Sequence, residues 1–266
     1  MEKLIKQYEN YYLIKCYSQE KYRSDFNKGN LYLKALSYFH NVENKFQQDK
    51  EGMIFHQAKN SIGSLYTIDP IESAVVSDLM KKGKMDEGIE VLKAKGNQTA
   101  ETKDLCMNVN GFLTCFYLMP KKCLNISKNN IDISPIGEYT NFFYFLNSYA
   151  EKQGYTYFSI YDAPKLITKI CQAFNHENYN FAFGCVTYQD IGDQTKIKWF
   201  LDNQIEKIVF TKPLKLKYQK EFRFFVSPKK QTTCDSISII SESLESTVVS
   251  SLAYLTPKYC EGLKEG

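Results

Sequence analysis

The stretch YYLIKCYSQEKYRSDFNKGNLYLKAL, residues 11–36, sets the architecture. Tyr11 to Cys16 is a short aromatic and apolar run that reads as a strand. Ser18 is then expected to cap a helix in which Tyr22 and Phe26 stand at i and i+4, and Gly29 to end it. Leu31 to Leu36 follows at once as a second strand. A strand, a helix, a glycine and a strand are thus packed into one short segment. A polar loop, Asn41 to Gly52, comes next, too charged and too rich in Gln and Asn to be core.

Farther along, Asp69-Pro70-Ile71-Glu72 places a capping Asp before a Pro at the first helical position. Gly83 closes that helix, and Met85 to Ala94 forms a second that ends at Gly96. This predicts an inserted helical hairpin at about 70–96, whose mixed charges read as solvated faces. From Phe112 the pattern changes to strands: Phe112 to Leu118, Tyr155 to Tyr161, Phe181 to Tyr188, Ile205 to Phe210, Glu221 to Val226 and Ser236 to Ile240. One helix interrupts them. Asp162 caps it, Pro164 sits in its first turn, and Leu166, Ile167, Ile170, Cys171 and Phe174 form its buried stripe. Helices come mostly early and strands mostly late, without regular alternation. The expected class is α+β, with a mostly antiparallel sheet, split or continuous, and flanking helices. No internal repeat or Gly/Ser-rich linker appears, so residues 1–266 are expected to form a single domain carrying the insertion.

Composition narrows the function. The chain has 266 residues, 43% of them hydrophobic, with 34 Lys plus Arg against 30 Asp plus Glu. No run approaches the roughly 18 apolar residues of a membrane helix, and Met1 to Glu9 is polar, so a cytoplasmic protein with no membrane contact is expected. The eight cysteines stand apart and never as C-x-x-C, which predicts buried free thiols. His40, His56 and His176 have no Cys or His company, so no metal site is expected. Rossmann, P-loop, zincin and α/β-hydrolase signatures are all missing.

The most specific stretch is Lys212 to Val226, KPLKLKYQKEFRFFV. If it is a strand, Gln219, Glu221 and Arg223 alternate onto one face while Phe222 and Phe224 take the other. The bland reading is an amphipathic strand whose solvated Glu and Arg pair with one another. Lys212 either binds a phosphate or merely ends a strand beside Pro213. Asp49, Glu51 and Gly52 are read first as a solvated turn, and His40 as a locally bonded side chain.

A Gln-x-Glu on a late strand, together with the opening strand, helix, glycine and strand, resembles the mono-ADP-ribosyltransferase fold, including DarT-like and pierisin-like toxins. The Y-Q-x-E-F-R spacing and the V-x-Y of Val186 and Tyr188 are also similar to a loosely defined group of bacterial proteins of phage defence and abortive infection. The resemblance covers about the first 55 residues and the last third of the chain. It implies NAD as substrate, Glu221 as the catalytic carboxylate and Gln219 as the residue facing the acceptor. It places Lys15 or Tyr17 at the opening position and Ser37, Tyr38 and Phe39 after the second strand, with Arg223 or Lys15 on the pyrophosphate. Lys15 and Ser37-Tyr38-Phe39 depart from the family's usual residues there. The implied partners are a protein or nucleic-acid acceptor and an antitoxin, chaperone or phage protein. A non-catalytic nucleotide- or phage-protein-binding regulator on a related fold is the alternative. A metal-dependent nuclease lacks paired carboxylates at useful spacing.

Overall fold

The computed structural model describes residues 1–36, 54–55, 105–106, 111–126, 131–133, 139, 157–192, 195–196, 198–199, 202–229 and 234–253. The helical hairpin expected at 70–96, the loop at 41–52, and His40 and His56 lie outside the described residues. Internal contacts divide the chain into two compact units. The first comprises Met1–Gln48, Val109–Gln189 and Phe210–Gly266; the second comprises Asp49–Asn108 and Asp190–Val209.

In the first unit, a short helix α1 (Glu2–Lys6) leads into β1 (Tyr11–Tyr17), helix α2 (Glu20–Asn27) and β2 (Asn30–Ala35). The opening motif is therefore present, with two corrections. Gln19 occupies the N-cap of α2, without a side-chain bond, so Ser18 does not cap it. Phe26 is buried, whereas Tyr22 is 51% exposed, so the expected apolar pair does not form. Gly29 ends the segment at φ +102, a backbone shape that an L side chain rarely adopts.

Strands β3 (Ile54–Phe55) and β4 (Leu105–Cys106) pair with each other in the second unit. The first unit continues with β5 (Phe112–Pro120), the paired strands β6 (Leu124–Ile126) and β7 (Ile131–Ile133), and β8 (Tyr157–Asp162). Helix α3 (Ala163–His176) follows. Its cap is Asp162, which accepts from the Lys165 backbone N–H at 3.3 Å, and Pro164 stands in the first turn. Leu166, Ile167, Ile170, Cys171 and Phe174 are all fully buried, as their spacing predicts.

Next come β9 (Asn180–Cys185) and β10 (Thr187–Tyr188). Ile205 to Phe210, expected as a strand, is instead helix α4 (Ile205–Val209) in the second unit. Ile208 and Val209 are its buried residues, at i+3 and i+4 from Ile205, a helical spacing that the β-branched character of those three residues disguises. Strand β11 (Thr211–Lys212) pairs in parallel with β10. The described residues end with β12 (Glu221–Ser227), β13 (Ser236–Ile240) and β14 (Val248–Ala253), the last of which was not anticipated.

Eight strands form one sheet, with every pairing antiparallel. Its organising element is β5. One edge pairs with β12, from Tyr117 opposite Glu221 to Phe112 opposite Val226, and β12 in turn pairs with β9. The other edge serves two strands in succession. Tyr117 to Pro120 pair with β1, and Phe112 and Leu113 pair with β2. The sheet therefore forks beside Thr114, Cys115 and Phe116. One arm runs β1, β8, β14 and the other β2, β13.

Alternation along the strands gives the sheet two unlike faces. Leu13, Tyr17, Phe116, Tyr161, Phe222 and Phe224 pack with α2 and α3 in the main core, where Phe26 and Phe174 join them. The opposite face carries Ile14, Met119, Phe158 and Ile160, which pack with Cys123 and Leu124. No helix among the described residues is long and apolar enough to cross a membrane. Cys16, Cys115, Cys123, Cys171, Cys185 and Cys234 are free thiols, but Cys185 and Cys234 are exposed, which corrects the expectation of burial at those two.

Candidate functional site

The strand begins at Glu221, as expected, but it does not reach back to Gln219, as the alternation of Gln219, Glu221 and Arg223 requires. Leu214–Gln219 winds as a 3-10 helix, and Lys220 then takes a left-handed conformation at φ 47, ψ 47, so β12 starts at Glu221. Gln219 is therefore not on the strand with Glu221 and Arg223, and the three-residue alternation is reduced to two. The turn nevertheless brings Gln219 back to the same place by another route. Its Oε1 accepts from Lys212 Nζ at 3.0 Å.

Glu221 is the centre of the group. Its Oε1 accepts from Arg223 Nε at 3.1 Å, and its Oε2 accepts from Arg223 Nη2 at 3.2 Å and from Lys212 Nζ at 2.9 Å. Arg223 thus grips the carboxylate with two donors, as i and i+2 on one strand face allow. The Glu221 backbone N–H donates to the Tyr188 hydroxyl at 2.9 Å. Glu221 is 8% exposed and Arg223 3%, so the solvated surface pair of the bland reading is excluded. Lys212 and Gln219 are buried as well.

The electrostatics follow from that enclosure. Burial pushes the Glu221 carboxyl up, but the adjacent Arg223 and Lys212 charges and the bonds from Cys115 and Lys212 outweigh it, holding the group well below the usual carboxylate range. Burial, reinforced by the Glu221 charge, pushes the Cys115 thiol and the Tyr188 phenol up, so both keep their protons. The site is one ionised carboxylate among cations and neutral donors.

Lys15 and Tyr17 are elsewhere. Ile14 stands opposite Tyr117, and Tyr117 opposite Glu221, so these three share a face. The neighbouring odd positions of β1 point through the other one. The Lys15 ammonium donates to Thr114 Oγ1 at 2.7 Å and to the Cys115 carbonyl at 3.2 Å, and lies 4.6 Å from the Phe116 ring centre and 5.4 Å from that of Phe26. It fills the fork and satisfies a strand carbonyl left there without a ladder partner. Among the described residues no carboxylate pairs with it. Burial lowers its pKa from 10.5 to about 8. Tyr17 bonds Tyr161 through their hydroxyls at 2.7 Å, and Tyr161 donates to Asn27 Oδ1 at 2.7 Å.

Glu221, Arg223 and Gln219 are therefore brought together, while Lys15 and Tyr17 are placed on the far side of the sheet from the carboxylate. Ser37, Tyr38 and Phe39 lie outside the described residues. Sequence reasoning missed the ion pair of Lys212 and the roles of Tyr188 and Cys115. The available signal for Lys212 was a lone charge in the mostly apolar run Ile208 to Leu214. Among the described residues, no cluster of His, Cys, Asp or Glu could hold a metal ion. No family model, curated protein or solved structure matches this chain.

Proposed function

We propose that the chain is an NAD-dependent mono-ADP-ribosyltransferase, acting as a toxin or anti-phage defence effector, with Glu221 as its carboxylate. The observation that carries this reading is the sharing of Lys212 between Glu221 Oε2 at 2.9 Å and Gln219 Oε1 at 3.0 Å. The ammonium can rest wholly on Gln219 while Oε2 accepts a ribose 2′-hydroxyl. Arg223 then serves to orient Glu221 rather than to hold the pyrophosphate. The forked antiparallel sheet and the strand, helix, glycine, strand opening support the same reading.

In the reaction, the ribose C1′–nitrogen bond breaks and nicotinamide leaves with the bonding pair. The acceptor nucleophile bonds C1′ and gives up its proton. The transition state carries positive charge on the ribose ring, which an ionised carboxylate stabilises. A second reading draws on a different feature of the same site. Arg223 and Lys212 offset the negative charge that such a transition state needs, and Lys15 and Tyr17 face away from it. That arrangement favours a non-catalytic binder of a nucleotide or phage protein.

One experiment separates them. The wild-type chain is incubated with adenylate-labelled NAD and bacterial lysate, then digested with protease or nuclease. Transfer of label to one polymer, reduced about 100-fold or more by Glu221→Gln in a sample whose circular dichroism is unchanged, supports the transferase. Gln219→Ala, which leaves the Arg223 bonds in place, is the second variant and is expected to slow transfer. NAD binding without consumption favours the binder, and neither binding nor consumption overturns both NAD readings.

A further inference from the structure

We propose that β13 is the contact through which two copies of this chain associate, edge to edge, about a two-fold axis at Ser238. Among the described residues three strands end the sheet: β9, β13 and β14. Outer strands normally carry a feature that discourages further pairing, such as a bulge, a charge or a proline. Strand β14 has a register irregularity between Val248 and Ser250. Strand β9 also lacks charge and proline, but it contains Gly184, which weakens a strand, and at its end the Cys185 thiol donates to the Tyr8 hydroxyl at 3.9 Å. Strand β13, Ser-Ile-Ser-Ile-Ile, has no charge and no proline, and its register with β2 is unbroken from Ser236 opposite Lys34 to Ile240 opposite Asn30.

The hydrogen-bond phase tells which backbone groups face outward. Ala35 N–H donates to the Asp235 carbonyl at 2.8 Å and Ser241 N–H to the Gly29 carbonyl at 2.8 Å, so odd-numbered residues of this segment bond to β2. Ser236, Ser238 and Ile240 therefore turn both N–H and C=O away from β2. A second copy laid antiparallel about Ser238 sets Ser238 against Ser238 and Ser236 against Ile240. Every outward donor then meets an outward acceptor. The same register sets Ile237 against Ile239 on the core face, where Ile237 is only half-buried. On the other face it places a serine beside Ile240, which is 67% exposed and stands near the 48% exposed Tyr32.

A second copy is the occupant because the strand is its own complement in this register, as an isologous contact requires. Five residues cover less than the roughly 800 Å² per partner of a stable interface, so the dimer is reversible and concentration-dependent. Sedimentation velocity on the full chain, from about 1 to 500 µM, is expected to show a monomer–dimer equilibrium. Ser238→Lys puts two like charges face to face at the axis and should weaken dimerisation at least tenfold; Ser238→Glu should do the same. An equimolar mixture of the two should restore it. Ser238→Pro removes only an outward N–H and should also give monomer, with an unchanged melting curve. A wild-type chain that stays monomeric throughout overturns the proposal. So does a dimer that survives Ser238→Lys.

Discussion

Replacing Lys15 by methionine tests whether the fork holds a charge at a cost. The ammonium sits between two aromatic rings with a hydroxyl and a carbonyl as its only described partners, and burial brings its pKa from 10.5 down to about 8. Below pH 8 both folded and unfolded chains carry the proton, and the folded one bears the full penalty of enclosing it. As pH rises from about 8 toward 10.5, the folded chain releases its proton first, so stability increases across that window. At about 1.4 kcal/mol per pH unit the whole effect is about 3 kcal/mol. Urea unfolding of wild type and Lys15→Met at several pH values isolates it, because groups common to both proteins cancel in the difference. Methionine leaves the Cys115 carbonyl without its donor, but that loss does not vary with pH. Relative to the variant, wild type should gain about 2–3 kcal/mol between pH 7.5 and 10. A difference flat to within about 0.5 kcal/mol would refute the reasoning and mean that the amine is solvated or neutralised by a carboxylate.

Three further outcomes follow from the same geometry. Glu221→Gln leaves Arg223 and Lys212 enclosed with a neutral amide and should cost about 3–5 kcal/mol in chemical denaturation. Because the Glu221 carboxyl is held low, the wild-type contribution is present above the ordinary carboxylate pKa and is lost as pH falls below it; an acid titration that shows no loss relative to Glu221→Gln contradicts the ion pairs. Gly29→Ala would force a side chain to φ +102 and bring its Cβ against the Ser241 carbonyl and within 2.8 Å of that of Glu242, so a loss of about 2 kcal/mol or more in a thermal melt is expected. Asp162→Ala removes both the cap of α3 and the bond from Lys121 Nζ at 3.0 Å, for a loss of about 1 kcal/mol; an unchanged melting temperature would show the cap to be idle.

What the sequence revealed depended on how local each signal was. Helix α3 was fully legible because its cap, its proline and its apolar stripe all lie within the helix or beside it. Strand β13 was read with its observed bounds, and β12 with its observed start, since alternation and turn residues mark them. The segment Ile205–Val209, Ile-Glu-Lys-Ile-Val, was misread because a stretch that short fits either period and three of its five residues are β-branched. Strand β14 was passed over because VVSSLA lacks alternation, and the register shift after Val248 shows why. At the site, the Glu221–Arg223 pair was visible as i and i+2. The partnership with Lys212 was not, because it depends on a 3-10 turn and a left-handed Lys220. The placement of Lys15 on the far face was hidden for a similar reason, since it follows only from the register of β1 against β5.

The doorway between β2 and β5 has an implication for how this chain can be altered. Ala35 stands opposite Phe112, and Leu36 N–H donates to the Gly111 carbonyl at 3.0 Å, so the chain leaves the sheet and re-joins it at neighbouring points. Two strands already held in antiparallel register need only a short reverse turn to connect them. A tight hairpin grafted between Leu36 and Gly111 would therefore join two strand ends that already lie side by side, with the β2–β5 pairing of Lys34 and Ala35 against Leu113 and Phe112 left as it is.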